Sequence, residues 1–261
     1  MKRERFYFLS LLLGTALLFG GCALGTPIPP PANTPAVPEA PANPGFDAAE
    51  SPEVAPAFDI VHAQVTKEDS FLVFQLLVQK DAGSIIPAET GQLAGAAVES
   101  YVWPTSLDSS SVGFDAEQGI LALAVTAHPD FDDTPLVDED GDGDKSNDGR
   151  HWHSHWVVLV KDETCAGGLK VQDIPEGEQP TLPATWPELP LLIDSPNFDL
   201  DLTNSRISVH VPYEPFANQP FNYDGVAAGL QVNANLHTPL LCVSNVHDIA
   251  SGDLSLPGAM E

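Results

Sequence analysis

Between His128 and Val160 the chain reads HPDFDDTPLVDEDGDGDKSNDGRHWHSHWVVLV, with nine acids from Asp130 to Asp148 and histidines at 151, 153 and 155. Two kinds of metal chemistry fit these residue types. Calcium takes about six to eight oxygen ligands, and alternate aspartates around a glycine turn aim several carboxylates at one point. Asp138, Asp140 and Asp142 have that spacing before Gly143, Asp144 offers its carbonyl next, and Asp148 closes the loop. Imidazoles instead suit zinc or copper. On a strand, alternate side chains share a face, so His151, His153 and His155 are expected together, with Trp152 and Trp156 opposite. If a strand over 119–128 pairs antiparallel with one over 151–160, His128 comes to the same end of the sheet. Asp130, Asp132 and Asp133 then lie at that rim, with Asp130 the carboxylate expected to join the histidines.

The acidic run resembles the opening half of an EF-hand-type or thrombospondin-type calcium loop. Gly149 stands where an EF-hand has its closing glutamate, and no helical pattern flanks the loop. The expectation is therefore a calcium-binding β-loop and not an EF-hand. HWHSHW resembles the His-x-His of the α-carbonic anhydrases, and LHTPLLCVS (236–244) their Leu-Thr-Thr-Pro segment. The surroundings of that family's third histidine and its amino-terminal aromatic signature are missing here. The sequence contains no Gly-x-Ser-x-Gly and no His-Glu-x-x-His, so no catalytic residue is assigned. His62 and His210 sit in alternating strands as ordinary face residues; His237 falls in a loop, and His247 precedes Asp248.

Short strands must position these groups. FDIVHAQVT (58–66) and SFLVFQLLVQ (70–79) flank a polar turn and read as a hairpin. Further strand patterns run over 96–107, 119–128, 151–160, 168–174, 189–194, 205–212, 224–235 and 239–249, with Gly, Pro, Asn and Asp between them. No uninterrupted 3.6-residue apolar period of helical length occurs. The expectation is all-β: a single antiparallel β-sandwich of about nine or ten strands, with a partly closed barrel as the second architecture. The hairpin DIVHAQVTKEDSFLVFQLLV resembles the first hairpin of DOMON and family-9 carbohydrate-binding sandwiches. That resemblance implies the same fold. Some DOMON domains bind haem through a methionine, but Met1 and Met260 are badly placed for this.

The amino terminus places the domain. Lys2, Arg3 and Arg5 precede an apolar run from Phe6 to Phe19, then Gly20, Gly21 and Cys22. This is the layout of a secretory signal. Small residues before a cysteine resemble the bacterial lipobox, which implies lipidation of Cys22 and removal of residues 1–21. Ala23 resembles the pattern of lipoproteins passed to the outer membrane. From Pro27 to Pro56 ten residues are proline, so 22–56 is expected to be a disordered tether to a bacterial envelope membrane and 57–261 the sandwich. Cys165 and Cys242 remain, and an exported chain would join them in a disulfide. The formal charge of −27 argues against nucleic acid or anionic lipid as partners and favours cations.

These features together imply an envelope-anchored binder of divalent metal, capturing or buffering zinc or copper with calcium beside it. The alternative is a calcium-stabilised module binding polysaccharide or an envelope protein, with Tyr101, Trp103, Trp186, Tyr213, Phe216, Phe221 and Tyr223 as a platform and 212–225 as an exposed aromatic loop. Burial separates the two readings.

Overall fold

The computed structural model describes residues 45–233 and 240–261. The expected signal, Cys22, most of the tether and His237 lie outside them. The strands, in chain order, are β1 (Phe46–Asp47), β2 (Ile60–Glu68), β3 (Phe71–Val78), β4 (Ala97–Pro104) and β5 (Ile120–Ala127). They continue with β6 (His153–Lys161), β7 (Leu169–Val171), β8 (Ile193–Asp194), β9 (Asp199–Thr203) and β10 (Arg206–Pro212). The last four are β11 (Phe221–Tyr223), β12 (Val226–Val232), β13 (Leu241–Ile249) and β14 (Gly258–Met260). Short 3-10 turns are the only helical elements among the described residues, and no helix there is long and apolar enough to cross a membrane.

The chain is all-β and antiparallel, as the alternation implies. Each strand pattern read from the sequence corresponds to a strand, including the β2–β3 hairpin. β1, β9, β11 and β14 are additional. β1 pairs Phe46 with Ala63 and Asp47 with His62, so the folded body takes in part of the segment expected to be linker. A two-residue strand surrounded by Pro, Ala and Asn carries no periodicity to reveal it.

One sheet runs β1-β2-β3-β10-β9. A second runs β5-β4-β12-β13-β7-β6-β8, and β5 also pairs with β6, which closes six of its strands into a ring; β11 and β14 form a separate two-stranded sheet. The molecule is thus a sandwich in which one layer is a closed barrel. Two cores follow. Phe74, Tyr101, Trp103, Leu123 and Trp156 belong to the core shared with the five-stranded sheet. Val98, Val102, Ala124, Val157, Ala228 and Leu230 belong to the barrel interior.

The seam between β7 and β13 is the barrel's thinnest closure, with Cys242 opposite Lys170 as its one register pair. The expected disulfide lies there: Cys165, just before β7, is bonded to Cys242 of β13. The covalent bond holds shut the join that the fewest ladder hydrogen bonds secure.

Candidate metal centre

β5 and β6 pair with Thr126 opposite His153 and Ala124 opposite His155. Strand alternation then sends His153 and His155 into the barrel, and Ser154 and Trp156 toward the sandwich core. His128 lies just beyond β5, where its backbone N–H donates to the Gly149 carbonyl. The segment leaving β5 folds back and delivers Asp133. All four side chains are buried, and one ligand atom from each lies within 4.8 Å of the others.

Asp133 Oδ1 is the centre of the cluster. His153 Nε2 lies 3.0 Å from it, His128 Nε2 3.1 Å and His155 Nε2 3.3 Å. His128 Nε2 and His153 Nε2 are 3.0 Å apart. Four ligands held at about 2.0–2.1 Å around a tetrahedral zinc stand about 3.3 Å from one another, so these spacings match a metal-centred set. The opposite edge of each ring is fixed. His128 Nδ1 donates to the Phe131 carbonyl at 2.9 Å, and His153 Nδ1 to the His151 carbonyl at 2.7 Å. His155 Nδ1 hydrogen-bonds the Ser195 hydroxyl at 3.0 Å. A carbonyl only accepts, so His128 and His153 carry their protons on Nδ1 when neutral and turn Nε2 lone pairs inward.

Such a cluster of acceptors requires positive charge at its centre, whether a proton or a metal ion. Burial opposes ionisation of Asp133, but the charges of His128 and His155 and the hydrogen bonds of His128 and His153 outweigh it and hold the carboxyl well below the usual range. Burial likewise works against a charged His153, yet the hydrogen bond and charge of Asp133 raise it. At His155 burial outweighs the nearby Asp133 carboxylate and the imidazole is pushed down, its Nε2 near Asp133 without a well-aligned hydrogen bond. With a metal in place of the shared protons, three imidazoles and one carboxylate would suit a borderline divalent ion.

The sequence-derived set is redistributed. His128, His153 and His155 converge; His151 does not. It follows a 3-10 turn at Asp148–Arg150, before β6 begins, and its exposed ring lies 3.7 Å from Asp140. Its contribution is the carbonyl that orients His153. Asp130 is also elsewhere: it accepts from Thr90 N, Thr90 Oγ1 and Gly91 N, and Asp133 takes the place expected for it. Ser195 was not legible in the sequence, because it comes from the end of β8, which pairs beside β6.

The acidic loop contains three further groupings. Asp138, Asp140 and Asp142 bring carboxylate oxygens within 4.8 Å of one another, as expected. The Asp144 carboxylate accepts from Ser146 N and Oγ, and the buried Asp148 brings a ligand atom within 4.8 Å of Asp140 and His151. Asp148 forms a second grouping with Asp132 and Glu139. There Asp148 Oδ1 and both Glu139 carboxylate oxygens are buried without a partner. Burial, helped by Asp148, raises the Glu139 carboxyl above its usual value.

The aromatic platform is absent. Tyr101, Trp103, Phe216, Phe221 and Tyr223 are buried core residues, and Trp186 and Tyr213 pack partly buried against the cores. The aromatic side chains of segment 212–225 therefore turn inward, although most of its other residues are exposed. His247 stacks on Phe58 and bonds Glu99, while Asp248 accepts from Ile60 N, so that pair builds no centre. His62 bonds Asp47, and His210 lies near Asp199. No protein-family model, curated protein or solved structure matches this chain.

Proposed function

We propose that this protein binds a transition metal, zinc or copper, through His128, Asp133, His153 and His155, and that it captures or buffers that metal at a bacterial cell envelope. The observation that carries the reading is the convergence of three buried Nε2 atoms on one buried carboxylate oxygen. A structural role alone would not require three imidazoles there, since burying polar groups costs free energy that apolar packing would avoid. Calcium is assigned to the acidic loop, through the Asp138–Asp140–Asp142 trio and the unpartnered oxygens of Asp148 and Glu139. Lipidation at Cys22 would attach the chain to the membrane, with the outer membrane as destination, and the Pro-rich segment would hold the domain away from it.

The test is metal content of residues 42–261, purified without a metal-binding tag, beside the His153→Ala/His155→Ala variant. About one equivalent of zinc or copper, lost in the variant while calcium stays, supports two separate sites. Calcium alone in both proteins refutes the transition-metal assignment. Cys22→Ala tests the anchor: the protein should move from the membrane fraction to the soluble one.

A further inference from the structure

The barrel interior is not filled by its own side chains. The residues turned inward near its middle include Ser100, Ala124 and Ala228, while their large neighbours Tyr101, Trp103 and Trp156 point outward into the sandwich core. A cavity of about 260 Å³ results. His128, Asp133 and His155 form one end of its lining, so three of the four candidate ligands border the open space. Ile120, Leu159, Val246 and Leu254 also line it. Ile120 and Leu159 face each other at the opposite end of the β5–β6 pair from Thr126 and His153. Val246 belongs to the part of β13 that has no register pair in β7, and Leu254 to the segment after it. Ile120, Val246 and Leu254 are each 38% exposed, so the cavity has an apolar rim reaching water.

We infer that the barrel lumen binds a medium-chain aliphatic carboxylate, its tail along the apolar walls and its head group ligating the metal held by His128, Asp133, His153 and His155. This rests on the metal reading above. The head group follows from charge. Asp133 is the only charged side chain among the described lining residues, so a divalent ion beside it leaves one net positive charge in an apolar tube. A monoanion neutralises that charge, and zinc expands from four to five ligands readily enough to accept it. The tail length follows from volume. An apolar cavity of about 150 Å³ holds benzene, with six heavy atoms, so this one holds about ten, the size of octanoate.

The experiment is calorimetric titration of straight-chain carboxylates, from butanoate to dodecanoate, into the full chain with and without one equivalent of zinc. Affinity for the zinc-loaded protein should rise about fourfold per methylene, the effect of burying one CH₂ group, and stop rising near eight carbons. Octanoate binding should weaken at least tenfold without zinc. Ala124→Leu, or the milder Ala228→Val if the first does not fold, should lose octanoate while still taking one zinc. A zinc-loaded protein that ignores octanoate, or a filled-lumen variant that binds it as well as the parent, overturns the lumen assignment and leaves the metal centre standing. Failure to bind zinc at all refutes the metal centre, and the ligation of the head group with it.

Discussion

Zinc should stabilise the fold by an amount that depends on its free concentration in a fixed way. His128 and His153 are 25 positions apart in sequence and meet only because β5 pairs with β6, so the unfolded chain offers no comparable site and metal binds the folded state alone. A ligand of this kind contributes RT ln(1 + [L]/Kd), about 4.1 kcal/mol at a thousandfold excess over Kd and about 1.4 kcal/mol for every further tenfold. In a body of this length 1 kcal/mol moves the midpoint by about 2–4 °C. Each decade of free zinc should therefore raise Tm by about 3–6 °C once the site is saturated, whatever the Kd. The assay is thermal unfolding at pH 7.5 in zinc buffers spanning four decades, for the parent and for His153→Ala/His155→Ala. The parent should show the slope and the variant none, while the variant keeps whatever calcium dependence the acidic loop confers. An equal zinc slope in both proteins would place the ion elsewhere and refute the convergence argument. A flat parent would mean that the cluster binds no zinc.

The surroundings of the centre give further expectations. Ser195→Ala leaves His155 Nδ1 without its buried partner, and competition against a zinc chelator should show affinity about 10–100-fold weaker, with the fold intact. At Gly149 an added Cβ would lie 1.8 Å from the Phe131 carbonyl oxygen and 2.9 Å from His128 Nδ1. Gly149→Ala should therefore cost about 1–3 kcal/mol in denaturant unfolding and weaken zinc at least tenfold by displacing the His128 ring. The Cys165–Cys242 disulfide closes a sequence separation of 77, and Cys165→Ala/Cys242→Ala should lower stability by about 4.5 kcal/mol on the chain-entropy scale, measured by urea unfolding of the two proteins. Burial raises the Asp194 carboxyl above its usual value, against hydrogen bonds from Thr185 and Ser195. The folded state thus keeps this proton to higher pH than the unfolded chain. Stability from this group is highest below about pH 3.9 and falls as pH rises through the folded value. Asp194→Asn should raise the melting temperature at pH 7 and leave it unchanged near pH 3.

What the sequence made legible was whatever depends on local alternation. Strand positions, the β5–β6 pairing and the approach of His128 to the histidines all follow from a period of two and one antiparallel connection. The disulfide was legible for another reason: only two cysteines remain beyond Cys22. His151 was misplaced because alternation was extended back through a residue that precedes the strand. The clue is the Asp148-Gly149-Arg150 turn, where Gly149 is required by close packing against Phe131 and His128 and not by a missing calcium ligand. Asp130 and Asp133 are indistinguishable by type. Choosing between them depends on Thr90 and Gly91, some forty positions away, which bond Asp130 and hold it at the surface.

Barrel closure was harder to read because β5 and β6 are buried on both faces, so hydrophobicity alone does not separate lumen from sandwich core. Size does separate them. Along β4, Tyr101 and Trp103 alternate with Val98, Ser100 and Val102, and along β6 Trp156 alternates with His155 and Val157. The bulky set fills the space between the layers, while the small set leaves the lumen open. A one-residue slip of β6 would exchange these sets, placing Trp156 in a tube too narrow for it and two imidazoles in an apolar core. The register that brings the histidines together is therefore enforced by the tryptophan packing on the other face. Trp156→Ala should consequently weaken zinc binding although Trp156 packs in the sandwich core and is not part of the cluster, and Trp156→Phe, which keeps an aromatic anchor, should restore most of it. Equal zinc affinity in the parent and Trp156→Ala would show that the cluster holds its own register without the core.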